Sequence, residues 1–461
     1  MAPIKTNNPY ASYFDFFSRS GTDAVTPAPV PGLTATGGII SDYTTGGNVY
    51  RAHVFTSSGA FAVTALGNIA STVEYLVVAG GGGGGSHSTA GGGGAGGVRT
   101  NLNGNPYATS VSFPVTATSY TVTVGGGGSR GSVSPTGFNG VNGVDSYFGP
   151  PSSPAGITAT GGGYGGKDQT AGGNGGSAGG AGGSSLNPYA GGTATAVTTP
   201  SPWPGPSVQG YGGGPNRPSR SSPYTSGGGG GASAAGAAGG TNSGAGGGGV
   251  QVAIAGPAAD TTGVGALNPG PGQYQWFAGG GGGASSIYGG TNGTGGAGGG
   301  GAGGAPAGTP GTYSTGGGGG GGSGPTSPSG EGGNGGSGIV VVRYQIAASQ
   351  SGTAKATGGS ISYYGGKTIH AFTNSGTFNV PGPGGLSSVE YLIIGGGGAG
   401  GTAGSGGGGG GAGQYVLNSS YTVSSTGGPG SNGAYPVVIG GGGSGALNPG
   451  GGYSSTLYPG T

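Results

Sequence analysis

Unbroken glycine runs are the feature that most restricts how this chain can fold. They include Gly80–Gly85, Gly227–Gly231 and Gly316–Gly322, within a total of 137 glycines in 461 residues. Glycine loses more backbone freedom on folding than any other residue, and it contributes no side chain to a core. A chain with this much glycine is therefore either unfolded or held together by contacts of backbone against backbone.

The composition separates three classes of glycine-rich protein. Collagen needs glycine at every third position, and the longest runs here break that register. A disordered chain is expected to have few aromatic residues and a high net charge, whereas this one has 24 tyrosines and a net charge of +2. The composition favours ordered polyglycine, in which helices of three residues per turn hydrogen-bond to their neighbours.

Energetics show that glycine alone cannot carry such a fold. Ordering one residue costs roughly 1–2 kcal/mol, and a net hydrogen bond returns about 1 kcal/mol. Strands and tyrosines must supply the difference. We predict a mostly β or irregular fold, with short β-strands bracketing a polyglycine-II helix sandwich and almost no α-helix. The three-residue rhythm around Asn174, Ser177, Ala178 and Ala181 predicts that these four side chains face outward.

An internal repeat divides the chain. The segments His53-Val-Phe-Thr-Ser-Ser-Gly and Val73-Glu-Tyr-Leu-Val-Val recur as His370-Ala-Phe-Thr-Asn-Ser-Gly and Val389-Glu-Tyr-Leu-Ile-Ile. Each copy predicts two short strands. The β-branched segment Ile339-Val-Val-Val-Arg-Tyr closes the first copy as another strand. We predict three parts: an N-terminal segment at 1–31, a first unit at 33–346 and a second unit at 354–461.

The second unit has no counterpart of the closing Ile-Val-Val-Val strand. We therefore expect it to be incomplete, either as a shorter variant or, as we favour, because the chain continues beyond Thr461.

Residues 1–31 differ in composition from the rest. They hold five aromatic residues and then a proline-rich spacer that includes Pro27, Pro29 and Pro31. One interpretation is a flexible terminus; the other is a docking peptide that inserts its aromatic side chains into a larger assembly. The docking candidates are Tyr10, Tyr13, Phe14, Phe16 and Phe17.

The inventory of catalytic and ligand-binding groups is small. The nine acidic residues are scattered, and the sequence has three histidines and no cysteine. His53 and His370 occupy equivalent strand positions, which indicates a structural role. Gly366-Lys-Thr matches the letters of a phosphate-binding loop but precedes a strand. Glu74, Glu390 and Arg343 are expected to face outward from their strands or to place a charge on a sheet edge. We expect no enzyme activity, cofactor, metal, nucleic-acid binding or membrane insertion.

The segments between glycine tracts are the better functional candidates. Residues 199–225 and 256–278 hold both tryptophans and several tyrosines in predicted loops. Exposed aromatic side chains on a rigid scaffold suit stacking against sugars or anchoring a protein partner. The alternative is that they cap a thin glycine core. The host-contact candidates are Trp203, Tyr211, Tyr224, Tyr274 and Trp276.

The strand and glycine pattern resembles a known domain type. Val73-Glu-Tyr-Leu-Val-Val-Ala with its six following glycines, and the closing Gly338-Ile-Val-Val-Val-Arg-Tyr, resemble the glycine-rich domain of tailed-bacteriophage virion proteins, especially those of marine phages including cyanophages. Gly38-Ile-Ile-Ser-Asp-Tyr and Arg51-Ala-His-Val-Phe-Thr-Ser-Ser-Gly strengthen the resemblance, which covers nearly all of 33–461. It implies a fibre, adhesin or surface appendage that packs polyglycine-II helices into a sandwich and contacts the host through variable loops.

The resulting expectation is a non-enzymatic virion protein, synthesised in the host cytoplasm. Residues 1–31 would dock to tail, neck or capsid proteins, and exposed loops would contact a host-surface glycan or protein. We expect a homo-oligomer, such as a trimer, or multiple copies. The alternative is a cellular glycine-rich structural or filament protein, which predicts head-to-tail self-assembly. A spike that hydrolyses polysaccharide would need carboxylate pairs in a groove, and the scattered acids argue against it.

Overall fold

The computed structural model describes most of the chain after residue 31. The described ranges are 32–45, 48–67, 71–102, 106–109, 111–132, 137–150, 156–183, 187–195, 208–217, 222–256, 263–268, 270–286, 289–324, 330–347, 355–364, 367–382, 386–400, 409–429, 431–443 and 454–457. These residues form an all-β protein of small antiparallel sheets with no helix, as predicted. It follows that no described helix could span a membrane.

The first unit contains fourteen short strands. They are β1 (Thr34–Thr36), β2 (Ile39–Thr45), β3 (Asn48–Phe55), β4 (Gly59–Ala65), β5 (Thr72–Val78), β6 (Val98–Thr100), β7 (Phe113–Pro114), β8 (Ser119–Thr123), β9 (Ser146–Gly149), β10 (Ile157–Ala159), β11 (Val250–Gln251), β12 (Ala266–Asn268), β13 (Gln273–Phe277) and β14 (Ile339–Ala347).

The closing strand β14 lies at the centre of the main sheet. The strand order is β2-β3-β14-β5-β6, so β14 pairs with β3 on one edge and with β5 on the other. Its side chains alternate between two cores because successive residues of a strand point to opposite faces. Val340 and Val342 join a core that contains Phe61 and Phe148. Ile339 and Val341 join a second core on the other face.

Glycine tracts extend from this sheet, and the tract at 80–87 shows how they are held. Its backbone N–H groups donate to three different neighbours in turn, with a period of three residues, over N···O distances of 2.8–3.1 Å. Its carbonyl groups accept from three further segments with the same period. The donors pair with 138–144 (Gly80, Gly83, Ser86), with 330–336 (Gly81, Gly84, His87) and with 91–94 (Gly82, Gly85). We interpret this period as polyglycine-II packing, since three residues per turn require it.

The close approach of the tracts excludes side chains. A Cβ atom built on Gly84 would lie 1.9 Å from the carbonyl oxygen of Gly320, and one on Gly81 would lie 2.1 Å from that of Gly317. Atoms cannot approach so closely, and the obstructing atoms belong to the backbone of another buried tract. Glycine is therefore a steric requirement at these positions.

The sequence predicted that Asn174, Ser177, Ala178 and Ala181 face outward, and this is correct for Asn174 alone. Ser177, Ala178 and Ala181 are buried, because this tract is surrounded by other tracts and their small side chains fit between them. Asn174 is exposed, and its Oδ1 accepts a hydrogen bond from the backbone N–H of Thr193.

The hydrogen-bonded glycine tracts of the first unit together form what we call the glycine lattice. Other asparagines act in the same way at its margins. The Oδ1 of Asn142 accepts from the N–H of Tyr164, that of Asn139 from Lys167, and that of Asn334 from Arg130. A side-chain amide thus replaces the neighbouring tract that a backbone N–H lacks.

The second unit contains seven strands, which are β15 (Ser360–Tyr364), β16 (Lys367–Ala371), β17 (Gly376–Asn379), β18 (Ser388–Ile394), β19 (Tyr415–Thr422), β20 (Ala434–Val438) and β21 (Thr456–Leu457). They form sheets of two or three strands around a small core that includes Phe378 and Tyr435. The unit contacts the first one, where the N–H of Ile361 donates to Ser41 Oγ.

Candidate functional site: the cleft between the repeat units

The candidate aromatics Tyr274 and Trp276 lie in a strand, which corrects the prediction of a loop across 256–278. Strand β13 pairs with β11 and β12. Between the two aromatics, Gln275 has a φ of 61°, which few residues other than glycine adopt. Its buried side-chain amide accepts from the N–H groups of Ile254 and Ala255 and donates to the carbonyl of Gly256. These three bonds hold the bend in place.

Tyr274 lines an open cleft between the two units. The cleft has a volume of about 870 Å³ and is bordered by residues 295–300 and 310–313 of the first unit and by 373–375 and 439–442 of the second. The phenol ring of Tyr313 packs against Gly441, where a Cβ would lie 2.9 Å from the ring.

The turn at 373–375 forms one wall and is fixed by bonds to the first unit. Thr373 Oγ1 and the N–H of Asn374 both donate to the carbonyl of Gly263, at 3.1 and 3.0 Å. The side-chain Nδ2 of Asn374 is buried and has no hydrogen-bond partner among the described residues. An unpaired buried donor costs about 1–3 kcal/mol, so this turn is held at some expense of stability.

The surface of the cleft is neutral and amphipathic. Two phenol rings and the exposed Leu267 supply apolar area, and Asn268, Thr373 and Asn374 supply amide and hydroxyl groups. The described lining residues carry no charge. Burial raises the pKa of Tyr274, so its hydroxyl stays protonated and can donate. Flat rings beside neutral hydrogen-bonding groups suit a sugar or an uncharged peptide segment.

A model described as a glycine-rich domain matches residues 56–345 and 372–460. The chain belongs to the glycine-rich domain family. No curated protein matches it. The two matched ranges of this glycine-rich domain protein fall in the first and the second repeat unit, on either side of the cleft.

The other candidate aromatics of this glycine-rich domain protein lie elsewhere. Tyr211 is exposed, Tyr224 is half-buried beside Pro223, and neither lines the cleft. Trp276 is half-buried in β13. Trp203 lies outside the described residues. The docking candidates Tyr10, Tyr13, Phe14, Phe16 and Phe17 also lie outside them. Tyr313, which sequence reasoning missed, reaches the cleft only through tertiary packing and has no local sequence signal.

A polar cluster at the far end of the lattice brings together a serine, a histidine and an aspartate. Ser88 Oγ lies 3.2 Å from His87 Nδ1, and Asp168 Oδ2 lies 3.8 Å from the same nitrogen. A catalytic triad needs the nucleophile and the carboxylate on opposite ring nitrogens. Thr89 Oγ1 also donates to Asp168 Oδ1 at 2.8 Å. The arrangement ties two loops together and lacks triad geometry.

Carboxylate and histidine groups are otherwise dispersed. Among the residues that the structure describes, no three such side chains lie close enough to share a metal ion.

Arg343 is buried, which corrects the prediction that it faces outward. Its guanidinium donates to Glu74 and to the hydroxyl of Tyr43, and it lies 4.6 Å from the ring centre of Tyr50. Burial raises the pKa of Tyr43 to about 12, against the opposing effect of Arg343, so Tyr43 stays neutral. The cluster is a structural clamp between β14 and β2.

His53 is also buried, in the core of the first unit. Its Nδ1 lies 2.6 Å from the carbonyl of Gly37, and its Nε2 lies 3.1 Å from the Tyr344 hydroxyl. Burial lowers the pKa of His53 to about 4. The ring is therefore neutral at pH 7, donating through Nδ1 and accepting through Nε2.

Proposed function

We propose that this glycine-rich domain protein is a non-enzymatic structural protein of a tailed-phage virion, of the fibre, adhesin or surface-appendage type. The resemblance of the Val-Glu-Tyr-Leu-Val-Val and Ile-Val-Val-Val-Arg-Tyr segments to phage virion domains supports this proposal. Residues 1–31 dock to tail, neck or capsid proteins, and the rest of the chain projects from the particle.

The glycine lattice is the observation that carries the proposal. Backbone hydrogen bonds run from the tract at 80–87 to six neighbouring segments. A body cross-linked in so many directions resists deformation, and it consists of groups that offer little reactive chemistry. Both properties suit an appendage that holds a contact surface away from a particle.

The cleft between the units is the surface that we propose for host contact. Tyr274, Tyr313 and Asn374 line it and supply two aromatic rings and an amide side chain. The ligand is a neutral glycan or an uncharged segment of a host-surface protein. A homo-oligomer, such as a trimer, would multiply weak contacts of this kind.

Docking is tested by deleting residues 1–31 from the phage-encoded protein and analysing purified particles by immunoblotting. The proposal predicts that the truncated protein folds but is lost from particles. Incorporation at the level of the full-length protein would overturn the docking role. Head-to-tail filaments formed by the purified full-length protein alone would instead support the alternative of a filament subunit.

Host contact is tested by measuring adsorption of the purified protein to host cells. Tyr313→Ala and Asn374→Ala each should weaken adsorption at least 10-fold, while Tyr211→Ala, an exposed tyrosine outside the cleft, should leave it unchanged. Cells treated with periodate distinguish a glycan from a protein ligand. Adsorption that depends on Tyr211 and not on the cleft residues would contradict the assignment.

A further inference from the structure

The second unit reproduces the strand pairings of the first. Phe378 pairs with Tyr435 across β17 and β20, as Phe61 pairs with Tyr120 across β4 and β8. The hairpin β15–β16 likewise corresponds to β2–β3, and β18–β19 corresponds to the pairing of β5 with β6 and β7. The repeated sequence therefore folds in the same way at the level of local sheets.

The two units differ at the place of the closing strand. In the first unit β14 joins β3 to β5 as their shared partner. In the described part of the second unit, β16 pairs only with β15, and β18 pairs only with β19. No described strand pairs with the edges of β16 and β18 that correspond to the β14 site. An open strand edge presents unpaired N–H and C=O groups that can accept another strand.

The apolar face beside this edge is open as well. Leu76 and Val78 of β5 are fully buried, whereas their counterparts Leu392 and Ile394 of β18 are each 60% exposed. On the paired strand β19, the cross-strand partners Leu417 and Tyr415 lie on the same face and are each 69% exposed. A contiguous exposed apolar patch of this kind marks an interaction surface.

A polar group points to the same missing element. His370 Nδ1 lies 2.7 Å from the carbonyl of Gly358, as His53 Nδ1 bonds to that of Gly37. His53 Nε2 also bonds to the hydroxyl of Tyr344, a residue of β14. His370 has no partner at Nε2 among the described residues. The site thus lacks a strand that ends in a hydroxyl-bearing aromatic residue.

We propose that the edges of β16 and β18 bind an extended strand of a partner protein, with the chemistry of Ile339–Tyr344. The strand would supply main-chain hydrogen bonds to both edges, β-branched side chains beside Leu392 and Ile394, as Val341 and Ile339 lie beside Leu76 and Val78, and a tyrosine hydroxyl to His370. In the first unit Ile339 pairs with Val78, which lies far earlier in the chain. The closing strand therefore reaches its site without a tight turn, and strand addition between chains has the same geometry.

A partner strand is tested with a synthetic peptide of residues 338–346 (Gly-Ile-Val-Val-Val-Arg-Tyr-Gln-Ile), extended by lysines for solubility and labelled with a fluorophore. Its binding to the full-length protein is followed by fluorescence anisotropy. The proposal predicts saturable binding, together with slowed hydrogen exchange in β16 and β18. A peptide with Val341→Pro, which lacks a backbone donor, should bind at least 10-fold more weakly.

Two protein variants locate the binding site. Leu392→Lys changes an exposed side chain and should weaken peptide binding at least 10-fold without lowering the melting temperature. Tyr211→Lys, at an exposed position of the first unit, should bind the peptide normally.

Three results would overturn the proposal. They are the absence of saturable binding, protection confined to the first unit, and β18 amides that already exchange as slowly as those of β5 without peptide. The last result would mean that another part of this chain or a second copy occupies the edge. Strand binding by β16 and β18 is independent of the location of the protein on a virion, so these results would leave the proposed virion function untouched.

Discussion

Two closely similar strand sequences differ in burial, because one lies in the core of the first repeat unit and the other lies on the surface of the second. Val73-Glu-Tyr-Leu-Val-Val lies between β14 and β6, and its Leu76 is completely buried. Val389-Glu-Tyr-Leu-Ile-Ile pairs with one strand in the part of the chain that the structure describes, and its Leu392 is 60% exposed. The apolar pattern of this segment therefore specifies a strand, while the closing strand and the glycine lattice decide whether the strand is buried.

Alanine substitutions at equivalent glycines of the two units should differ most in their effect on stability. In the first unit, Gly81→Ala places a methyl group 2.1 Å from the Gly317 carbonyl oxygen, and it should cost at least about 3 kcal/mol or prevent folding. In the second unit, the nearest atom to a Cβ on Gly397 is 3.4 Å away, so Gly397→Ala should change the free energy of unfolding by less than about 1 kcal/mol. Denaturant unfolding gives both values.

An internal control separates sterics from the mere loss of glycine in the first unit. Gly126 has no atom within 4 Å of its Cβ position, so Gly126→Ala should be tolerated. Equal destabilisation by Gly81→Ala and Gly126→Ala would show that close backbone packing is not the cause.

Alanine substitutions at the equivalent leucines of the two units should give the next largest difference in stability. Leu76→Ala removes a fully buried side chain and should destabilise the protein by about 2–5 kcal/mol. Leu392→Ala removes an exposed one and should cost less than about 0.5 kcal/mol. Thermal and denaturant unfolding of both variants test this. Similar losses would mean that the β18 face is buried in solution, for example by self-association, which sedimentation at several concentrations would reveal.

The sequence predicted these strands well because their apolar alternation is local. The repeat, the strands around His53, Val73 and Ile339, and the all-β class need only short-range patterns. The burial of Ser177, Ala178 and Ala181 could not be predicted, because it depends on which tracts surround their own. The cleft could not be predicted either, since Tyr274 and Asn374 come from different units. Arg343 appeared exposed because its partners Tyr43 and Glu74 are distant in sequence.

Acid should destabilise the first unit through His53. The folded pKa of about 4 lies below the unfolded value of 6.5, so the unfolded state binds a proton first as the pH falls. Stability from neutral His53 is complete above pH 6.5 and declines towards pH 4, by about 3 kcal/mol in total. His53→Gln should lower stability at pH 7 but flatten its dependence between pH 6.5 and 4.

His370 provides the matched comparison for that pH profile. Burial also lowers the pKa of His370, but this ring is only partly buried, so His370→Gln should flatten the profile less. Parallel pH profiles for the wild type and His53→Gln would contradict the account of a neutral core histidine.

The smallest effect should come from the asparagines at the lattice margin. Asn142→Ala removes the acceptor for the N–H of Tyr164 and should cost about 0.5–1.5 kcal/mol. Asn142→Asp keeps a carboxylate oxygen in that position and should cost less. Denaturant unfolding distinguishes the two, and equal stabilities would show that water replaces the asparagine without loss.

The central claim is that backbone hydrogen bonds make the glycine tracts of the first unit a rigid core. Hydrogen exchange followed by mass spectrometry tests it most directly, because every N–H from Gly80 to Ser86 donates to a neighbouring segment. The account predicts that peptides covering 79–97 exchange as slowly as those covering β5 and β14. Exchange of these glycine amides within seconds, while β5 and β14 stay protected, would contradict it.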